Sequence, residues 1–235
     1  MSSVAERARA PNEILTSLKT RLKAFQGHGP DAPTFFYSTG LQSLDTALGG
    51  GLAAGEVTEF AGKGSGGRTA LAISLAAQVT RYAPEGNDER RGCRVAWIDT
   101  EDRLDVSSLC DAGTEVSNFL WMRGGGKSAL TQSFKAVDII LSAKAFSLVV
   151  LDLAESGWRK DIQRSAWWVR ISRKLKGKST ALLVLASEPT AFQPACRVVC
   201  DARKVFSEPV SFRVLRRGCG DVKWMHPVHL AHPLR

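Results

Sequence analysis

The sequence lacks any long apolar run. Its longest uncharged apolar stretch falls well short of the roughly 18–20 residues that a membrane-spanning helix requires. The first residues, MSSVAERARAPNE, contain no apolar segment of the kind found in signal peptides. No internal repeat is recognisable. These absences argue against a membrane protein and a secreted protein, and we expect a cytoplasmic one.

Cysteine is sparse and irregularly placed. The chain has five cysteines, an odd number, at Cys93, Cys110, Cys196, Cys200 and Cys219. This set does not predict a disulfide framework, and it fits a reducing compartment. Cys196 and Cys200 are spaced as C-x3-C, which would suit a metal ion. No second pair follows at zinc-finger spacing, so two buried apolar cysteines are the favoured interpretation.

Histidine offers a second candidate for a metal site. His226, His229 and His232 recur at intervals of three in HPVHLAHP, a spacing that would gather ligands on a helix. Pro227 and Pro233 argue against a regular helix there, so we predict no metal.

The charge balance is strongly basic. The net charge is +9 and the isoelectric point is near 9.6. Such an excess favours contact with a polyanion or an acidic protein surface, although a basic surface that binds nothing is the alternative. Apolar residues make up 44% of the 235 residues, enough to fill the core of one α/β domain.

Two segments of different character precede the main domain. Residues 12–26 place apolar side chains at helical spacing with basic residues between them, which predicts a short amphipathic helix. Residues 27–33 then contain two glycines and two prolines, typical of a linker. We expect an N-terminal helical arm at 1–34, an α/β domain at 35–225 and a tail at 226–235.

From residue 35 onward, apolar runs alternate with helical patterns. Strands are predicted at 56–62, 94–99, 118–123, 147–152 and 180–187, and helices at 69–82, 128–143 and 162–175. A polar loop covers 84–92, and strand-like runs continue between 197 and 222. Strands that alternate with helices in this way predict a mostly parallel sheet with helices on both faces.

A glycine-rich segment, GKGSGGRT, lies between the first predicted strand and the first long helix. This is the context of a phosphate-binding loop with the pattern G-x-x-x-x-G-K-[ST], whose backbone N–H groups and helix N-terminus hold phosphate. Thr69 would offer its hydroxyl to magnesium. The candidate loop residues are Gly62, Lys63, Gly64, Ser65, Gly66, Gly67, Arg68 and Thr69.

Arg68 departs from this pattern, because it stands where the pattern has lysine. A lysine ammonium is a compact point charge, whereas guanidinium is planar, wider and fork-shaped. In a tight phosphate loop the fork should push nucleotide out or swing away. We therefore expect weak or absent ATP hydrolysis. Lys63 lies in the same loop but faces a different part of the turn.

Two carboxylates stand where a nucleotide site would need them. Asp152 ends an apolar strand, at the position of an acid that holds magnesium. Glu101 follows another strand and is placed to polarise an attacking water. Each is weak evidence alone, since acids commonly end strands. With the glycine-rich loop, they indicate an inherited nucleotide site for ATP and magnesium, weak or vestigial in activity.

These segments resemble the RecA family of P-loop proteins. Residues 36–71 are similar to the entry segment of that family. Residues 96–105 are similar to the strand that carries its catalytic glutamate, which would be Glu101 here. Residues 148–157 are similar to its Walker-B strand, with Asp152 as the acid. The resemblance extends from about residue 35 to residue 187. It implies a RecA-like fold, DNA repair and single-stranded DNA as a partner.

The departures from the family are as informative. The two loops that bind single-stranded DNA in recombinases shrink here to about 153–161 and 188–197, and Ser187-Glu188 replaces the glutamine that senses the γ-phosphate. Short, arginine-looped relatives of this kind resemble the ImuA (SulA-like) group. That resemblance implies an adaptor in damage-induced translesion synthesis, with an ImuB-type polymerase-like protein and RecA as partners. The alternative is a DNA-stimulated ATPase of the recombinase class.

A basic, tryptophan-containing stretch provides the candidate binding surface. Aromatic rings among basic groups suit single-stranded nucleic acid, but a solvated helix face and a protein interface are alternatives. On the helix at 162–175 we expect one face toward the sheet and another away from it. The inward residues are Ile162, Ala166, Val169 and Leu175, and the outward residues are Arg164, Trp168 and Arg170. The candidate DNA- or partner-binding residues are Trp158, Arg159, Lys160, Arg164, Trp168, Arg170, Arg173 and Lys174.

Overall fold

The computed structural model describes residues 35–63, 66–82, 93–125, 128–153, 166–201 and 211–216. The helical arm predicted at 12–26, the loop at 84–92 and the tail at 226–235 lie outside these residues, so the arm and the domain limits remain predictions.

The described chain begins with a small antiparallel pair, β1 (Phe36–Tyr37) and β2 (Leu52–Ala53), with helix α1 (Gln42–Leu48) between them. The carboxylate of Asp45 accepts hydrogen bonds from the backbone N–H of Thr39 at 2.8 Å and from its hydroxyl at 2.6 Å. The helix ends at Gly49, whose φ of 78° is left-handed. Asp45 thus fixes the turn that leads into α1.

The main sheet has seven described strands. They are β3 (Val57–Ala61), β4 (Val95–Asp99), β5 (Phe119–Arg123), β6 (Leu148–Asp152), β7 (Ala181–Ala186), β8 (Cys196–Cys200) and β9 (Phe212–Arg216), in the spatial order β5-β4-β6-β7-β3-β8-β9. All neighbours are parallel except β8 and β9, which are antiparallel. The mostly parallel sheet predicted from the sequence is confirmed.

Helices cover both faces of this sheet. They are α2 (Arg68–Arg81), α3 (Val106–Asp111), α4 (Ala129–Ala143) and α5 (Ala166–Leu175). Side chains of β4 alternate between two apolar cores: Val95 and Trp97 pack in the core that includes α2, and Ala96 and Ile98 in the core that includes α4 and α5. Because β6 and β7 are buried on both faces, they are almost continuous apolar runs, which made them predictable. β3 and β4 are equally buried but contain the acids Glu59 and Asp99.

No helix in the described part of the chain is both long enough and apolar enough to cross a bilayer.

Candidate nucleotide site and basic surface

The predicted nucleotide-site residues lie at the carboxyl edge of the sheet. Asp99 and Asp152 end neighbouring strands and are paired in register, and Glu101 follows Asp99 by two residues. The glycine-rich loop begins where β3 ends, with one strand, β7, between it and Asp152. Ligands of open α/β sheets bind at this edge, so the fold brings the predicted elements together.

The glycines of the loop are required by its close approach to β8. A Cβ on Gly62 would lie 2.3 Å from the carbonyl oxygen of Cys200, and one on Gly66 would lie 3.0 Å from the same atom. Gly66 donates its backbone N–H to the carbonyl of Lys63 at 2.9 Å, and Gly67 enters α2 with a φ of 79°. Gly64 and Ser65 fall outside the described residues. Lys63 is exposed, and Thr69 is half-buried at the start of α2.

Arg68 is turned back across the loop. Its side chain is buried, with 6% of the residue exposed, and its Nη1 donates a hydrogen bond to the carbonyl oxygen of Gly62. The guanidinium therefore links the last part of the loop to its first residue. That Arg68 displaces nucleotide stays a prediction; the structure shows that the guanidinium lies against the start of the loop.

Cys200 is the neighbour of Arg68 on β8. Burial raises the pKa of its thiol to about 12, and the charge of Arg68 opposes this only in part. The thiol is consequently neutral near pH 7 and supplies no negative charge to the guanidinium. Cys196 and Cys200 are both buried, which confirms the apolar interpretation of this pair.

The carboxylates at the sheet edge suit a magnesium ion. Asp152 is buried and Glu101 is partly exposed, with Arg103 Nη1 at 3.6 Å from its Oε2. Carboxylate oxygens are ligands that magnesium prefers. A triphosphate needs the backbone N–H groups of the loop. The Arg68 guanidinium lies against the first residue of this loop, where it is bonded to the Gly62 carbonyl.

Asp99 is a further site residue that sequence reasoning missed. It is completely buried, and its Oδ2 accepts hydrogen bonds from the backbone N–H of Leu104 at 2.8 Å and from Trp121 Nε1 at 3.3 Å. The first bond closes the turn that carries Glu101. An acid inside the buried strand VAWID was the available signal, because a buried charge requires partners.

The turn after β4 is also fastened to the end of β5. Arg123 forms a bidentate pair with Asp102, with both nitrogen–oxygen distances at 2.6 Å, and its guanidinium lies 4.9 Å from the centre of the Trp121 ring. Asp102 itself adopts a left-handed φ of 58°. Hydrogen bonding to Arg123 holds the pKa of Asp102 below its usual value. Glu101 thus projects from a turn whose two sides are both anchored.

The connection from β7 to β8 occupies the place predicted for the second shortened loop. Residues 187–195 cross from one side of β3 to the other without a helix. Glu59, completely buried in the middle of β3, accepts hydrogen bonds from the backbone N–H groups of Thr190 at 2.6 Å and Ala191 at 2.7 Å, and it pairs with Arg197. The segment is therefore tied to the centre of the sheet.

Helix α5 presents a different face to the core than the sequence suggested. Trp168 is 1% exposed and packs edge-on against Phe134 at 5.4 Å, whereas Val169 is 42% exposed and Ala166 is also exposed. The prediction that Trp168 points away from the sheet was wrong, as was the inward orientation of Ala166 and Val169. The indole buries more apolar surface than valine, which decides the rotation of the helix. Leu175 is buried as predicted.

The basic residues of α5 are partly committed to a helix–helix contact. Arg170 and Lys174 both pair with Asp138 of α4, at 2.6 Å and 2.5 Å, while Arg173 is exposed. Trp158, Arg159, Lys160 and Arg164 lie outside the described residues. The predicted site residues thus form two groups, a nucleotide-site group at the sheet edge and a basic group on α5.

The comparisons with known proteins decide the family. The model of the RecA N-terminal domain matches residues 27–163, more than half of the chain. This chain belongs to the RecA N-terminal domain family. The RecA-like relationship inferred from the entry segment, the glycine-rich loop and the two acids is therefore confirmed.

Individual relatives of this RecA-family chain are bacterial proteins called "Protein RecA". That of Crocosphaera subtropica is 35% identical over 116 residues, which are 49% of this chain and 30% of the relative. That of Streptomyces avermitilis is 32% identical over 128 residues, 54% of this chain and 30% of the relative. The chain thus matches less than a third of the length of these relatives.

Proposed function

We propose that this RecA-family protein is an adaptor of the DNA damage response that turns over little or no ATP. In this role it links an ImuB-type polymerase-like protein to RecA during error-prone translesion DNA synthesis, as part of SOS mutagenesis. The relationship to the ImuA (SulA-like) group belongs to the same proposal.

The single observation that carries the proposal is the position of Arg68. Its buried guanidinium is bonded to the carbonyl of Gly62, the first residue of the loop. A motor or recombinase needs a loop that opens onto the β- and γ-phosphates and a compact cation between them. An adaptor needs only the scaffold, which the seven-stranded sheet retains.

The connection from β7 to β8 also supports an adaptor. Glu59 and Arg197 fasten residues 187–195 to the sheet, so this segment has little freedom to wrap around a DNA strand. Single-stranded DNA is a proposed partner through the basic residues of the chain. We also propose that the chain self-associates through residues 12–26 of the arm.

A second candidate function is a DNA-stimulated ATPase of the recombinase class. The observation that favours it is the retained set of acids, since Asp152 and Asp99 are adjacent at the sheet edge and Glu101 is held on an anchored turn. This function requires Arg68 to leave the loop when nucleotide arrives.

Nucleotide titration and partner capture separate the two functions. The melting temperature of the purified protein is measured against ATP with magnesium, with and without oligo-dT, and immobilised protein is then offered RecA and the ImuB-type protein. We expect no stabilisation at millimolar ATP, no turnover, and capture of at least one partner. Turnover that is stimulated by oligo-dT and lost in Asp152→Ala would establish the ATPase and contradict the adaptor.

A further inference from the structure

One exposed surface remains unexplained by the nucleotide site. It is a shallow hollow of about 570 Å³ on the outer side of α5, and we name it the α5 hollow. It is lined by Ala166, Val169, Arg170, Arg173 and Lys174. Ala166 and Val169 provide an apolar surface, and the three basic side chains lie around it. The hollow therefore combines an apolar contact surface with positive charge.

The cations of the α5 hollow are held in place before any partner binds. Lys174 Nζ pairs with Asp138 and also donates to Ser142 Oγ at 2.9 Å, and Arg170 pairs with the same aspartate. Hydrogen bonding to Lys174, with the charge of Arg170, holds the pKa of Asp138 below its usual value, so the aspartate stays ionised. Ordering these side chains in advance lowers the entropy that binding would otherwise cost.

The aromatic rings of α5 are not available to stack on bases. Trp168 is in the core, and Trp167 stacks on Phe134, with ring centres 5.7 Å apart and planes at 23°. The guanidinium of Arg170 lies 5.6 Å from the centre of the Trp167 ring. Recognition of single-stranded nucleic acid depends on free aromatic faces, which these two rings do not offer. The largest exposed apolar side chain in the lining of the hollow is Val169, an anchor suited to protein.

Charge disfavours the N-terminal and C-terminal segments of the chain, and a second copy of it, as the occupant. Residues 12–26 carry three basic residues against one acidic, and residues 217–235 carry the same excess. A second copy of the chain brings a net charge of +9. Each would bring like charge to a surface that already has three cations, which opposes binding.

We propose that the α5 hollow binds an acidic amphipathic segment of another protein, whose apolar side chain packs on Ala166 and Val169 while its carboxylates pair with Arg170, Arg173 and Lys174. Arg173 is the cation best able to form a new ion pair with a partner, since it is exposed and makes no ion pair with any described residue. This inference rests on the proposed adaptor function and assigns a surface to it.

Two substitutions in the full-length protein test the surface. Val169→Ser removes the apolar anchor without changing charge, and Arg173→Glu reverses the central charge. Arg94→Glu is the matched control, because Arg94 is exposed, lies just before β4 and does not line the hollow. The probes are the ImuB-type protein, RecA, oligo-dT, and a helical peptide with one leucine face flanked by glutamates, and affinities are measured by interferometry.

The expected result is that both variants weaken capture of one protein and of the peptide by about thirtyfold or more, the size of a binding hot spot, while Arg94→Glu does not. Equal capture by the wild type and both variants overturns the inference and leaves the adaptor function standing. A loss confined to oligo-dT in Arg173→Glu also overturns it. If the wild type captures neither protein, the adaptor function fails, and binding of the peptide then tests the α5 hollow. Tight binding of the peptide by the wild type that is lost in both variants supports the inference. No binding of the peptide by the wild type overturns it.

Discussion

Arg197 pairs with Glu59, a carboxylate that is completely buried at the centre of the sheet. The same arginine donates from Nη2 to the carbonyl of Ala191 at 2.9 Å, so it bridges β3 and the segment that crosses over it. The backbone N–H groups of Thr190 and Ala191 donate two further hydrogen bonds to the Glu59 carboxylate. One buried acid thereby fixes the path of the chain between β7 and β8.

Replacing Arg197 with methionine should strongly destabilise the fold. The substitution leaves the Glu59 charge buried without its cation, and breaking a buried pair in this way costs about 3–5 kcal/mol. The free energy of unfolding, measured with urea, should fall by that amount. The control is Arg213→Met, which removes an ion pair to Asp201 whose partners are 44% and 40% exposed, and which should cost no more than about 1 kcal/mol. Equal effects of the two would contradict the role given to Glu59.

Replacing Arg68 with lysine should restore nucleotide binding. The ammonium is compact enough to leave the inner side of the loop to phosphate. If ATP with magnesium then reaches a hundredfold excess over its Kd, the native state gains about 2.7 kcal/mol. At about 2–4 °C per kcal/mol for a chain of this size, the melting temperature should rise by roughly 5–10 °C.

The wild type and Arg68→Met should show no such rise, because the first keeps the guanidinium in the loop and the second has no cation for phosphate. A wild type stabilised as much as Arg68→Lys would show that arginine does not block the site.

Replacing Trp168 with alanine should unfold much of the population at moderate urea. The indole is 1% exposed and contacts Phe134, and removal of a buried aromatic side chain costs about 3–5 kcal/mol. Val169→Ala, one residue further along the same helix, should change the free energy of unfolding by no more than about 0.5 kcal/mol, because Val169 is exposed. A larger loss of stability in Val169→Ala than in Trp168→Ala would contradict this orientation of α5 and support the one expected from the sequence.

The pair between Arg123 and Asp102 predicts a defined pH dependence. Hydrogen bonding to Arg123 lowers the pKa of Asp102 below its ordinary 3.8. A lowered pKa in the folded state contributes stability above pH 3.8, and this contribution is lost as the pH falls through the folded-state pKa. In Arg123→Gln, NMR titration of the Asp102 carboxyl should show its pKa returned toward the ordinary value. An unchanged pKa in the variant would remove Arg123 as the cause.

The elements with the strongest local signals were the ones predicted from the sequence. The strands LVVLD and ALLVLA are buried on both faces, and α2 and α4 are rich in alanine and leucine, so their composition alone indicates strand or helix. The glycine-rich loop was also predictable from local sequence, because its glycines are required by the conformation of the loop backbone. Short helices such as α1 and α3 were missed because their few residues give no clear periodicity.

Features that depend on distant contacts were not predictable. Glu59 finds its partners 131 to 138 residues further along the chain, and no local pattern announces them. The rotation of α5 is decided by Phe134 on another helix. The sequence did not predict where the Arg68 guanidinium lies. Its hydrogen bond to the Gly62 carbonyl depends on the folded backbone, which brings that carbonyl within reach.

The neighbours of β3 have a consequence for how the chain is made. The strand ends at Ala61, yet its hydrogen-bonding partners β7 and β8 end at Ala186 and Cys200. A growing polypeptide therefore exposes an apolar strand and the following loop long before either partner strand has been synthesised. Pairings of such long sequence separation form slowly and leave strand edges open in the meantime. β3 is thus paired late in synthesis, and its edges need protection until β7 and β8 have left the ribosome.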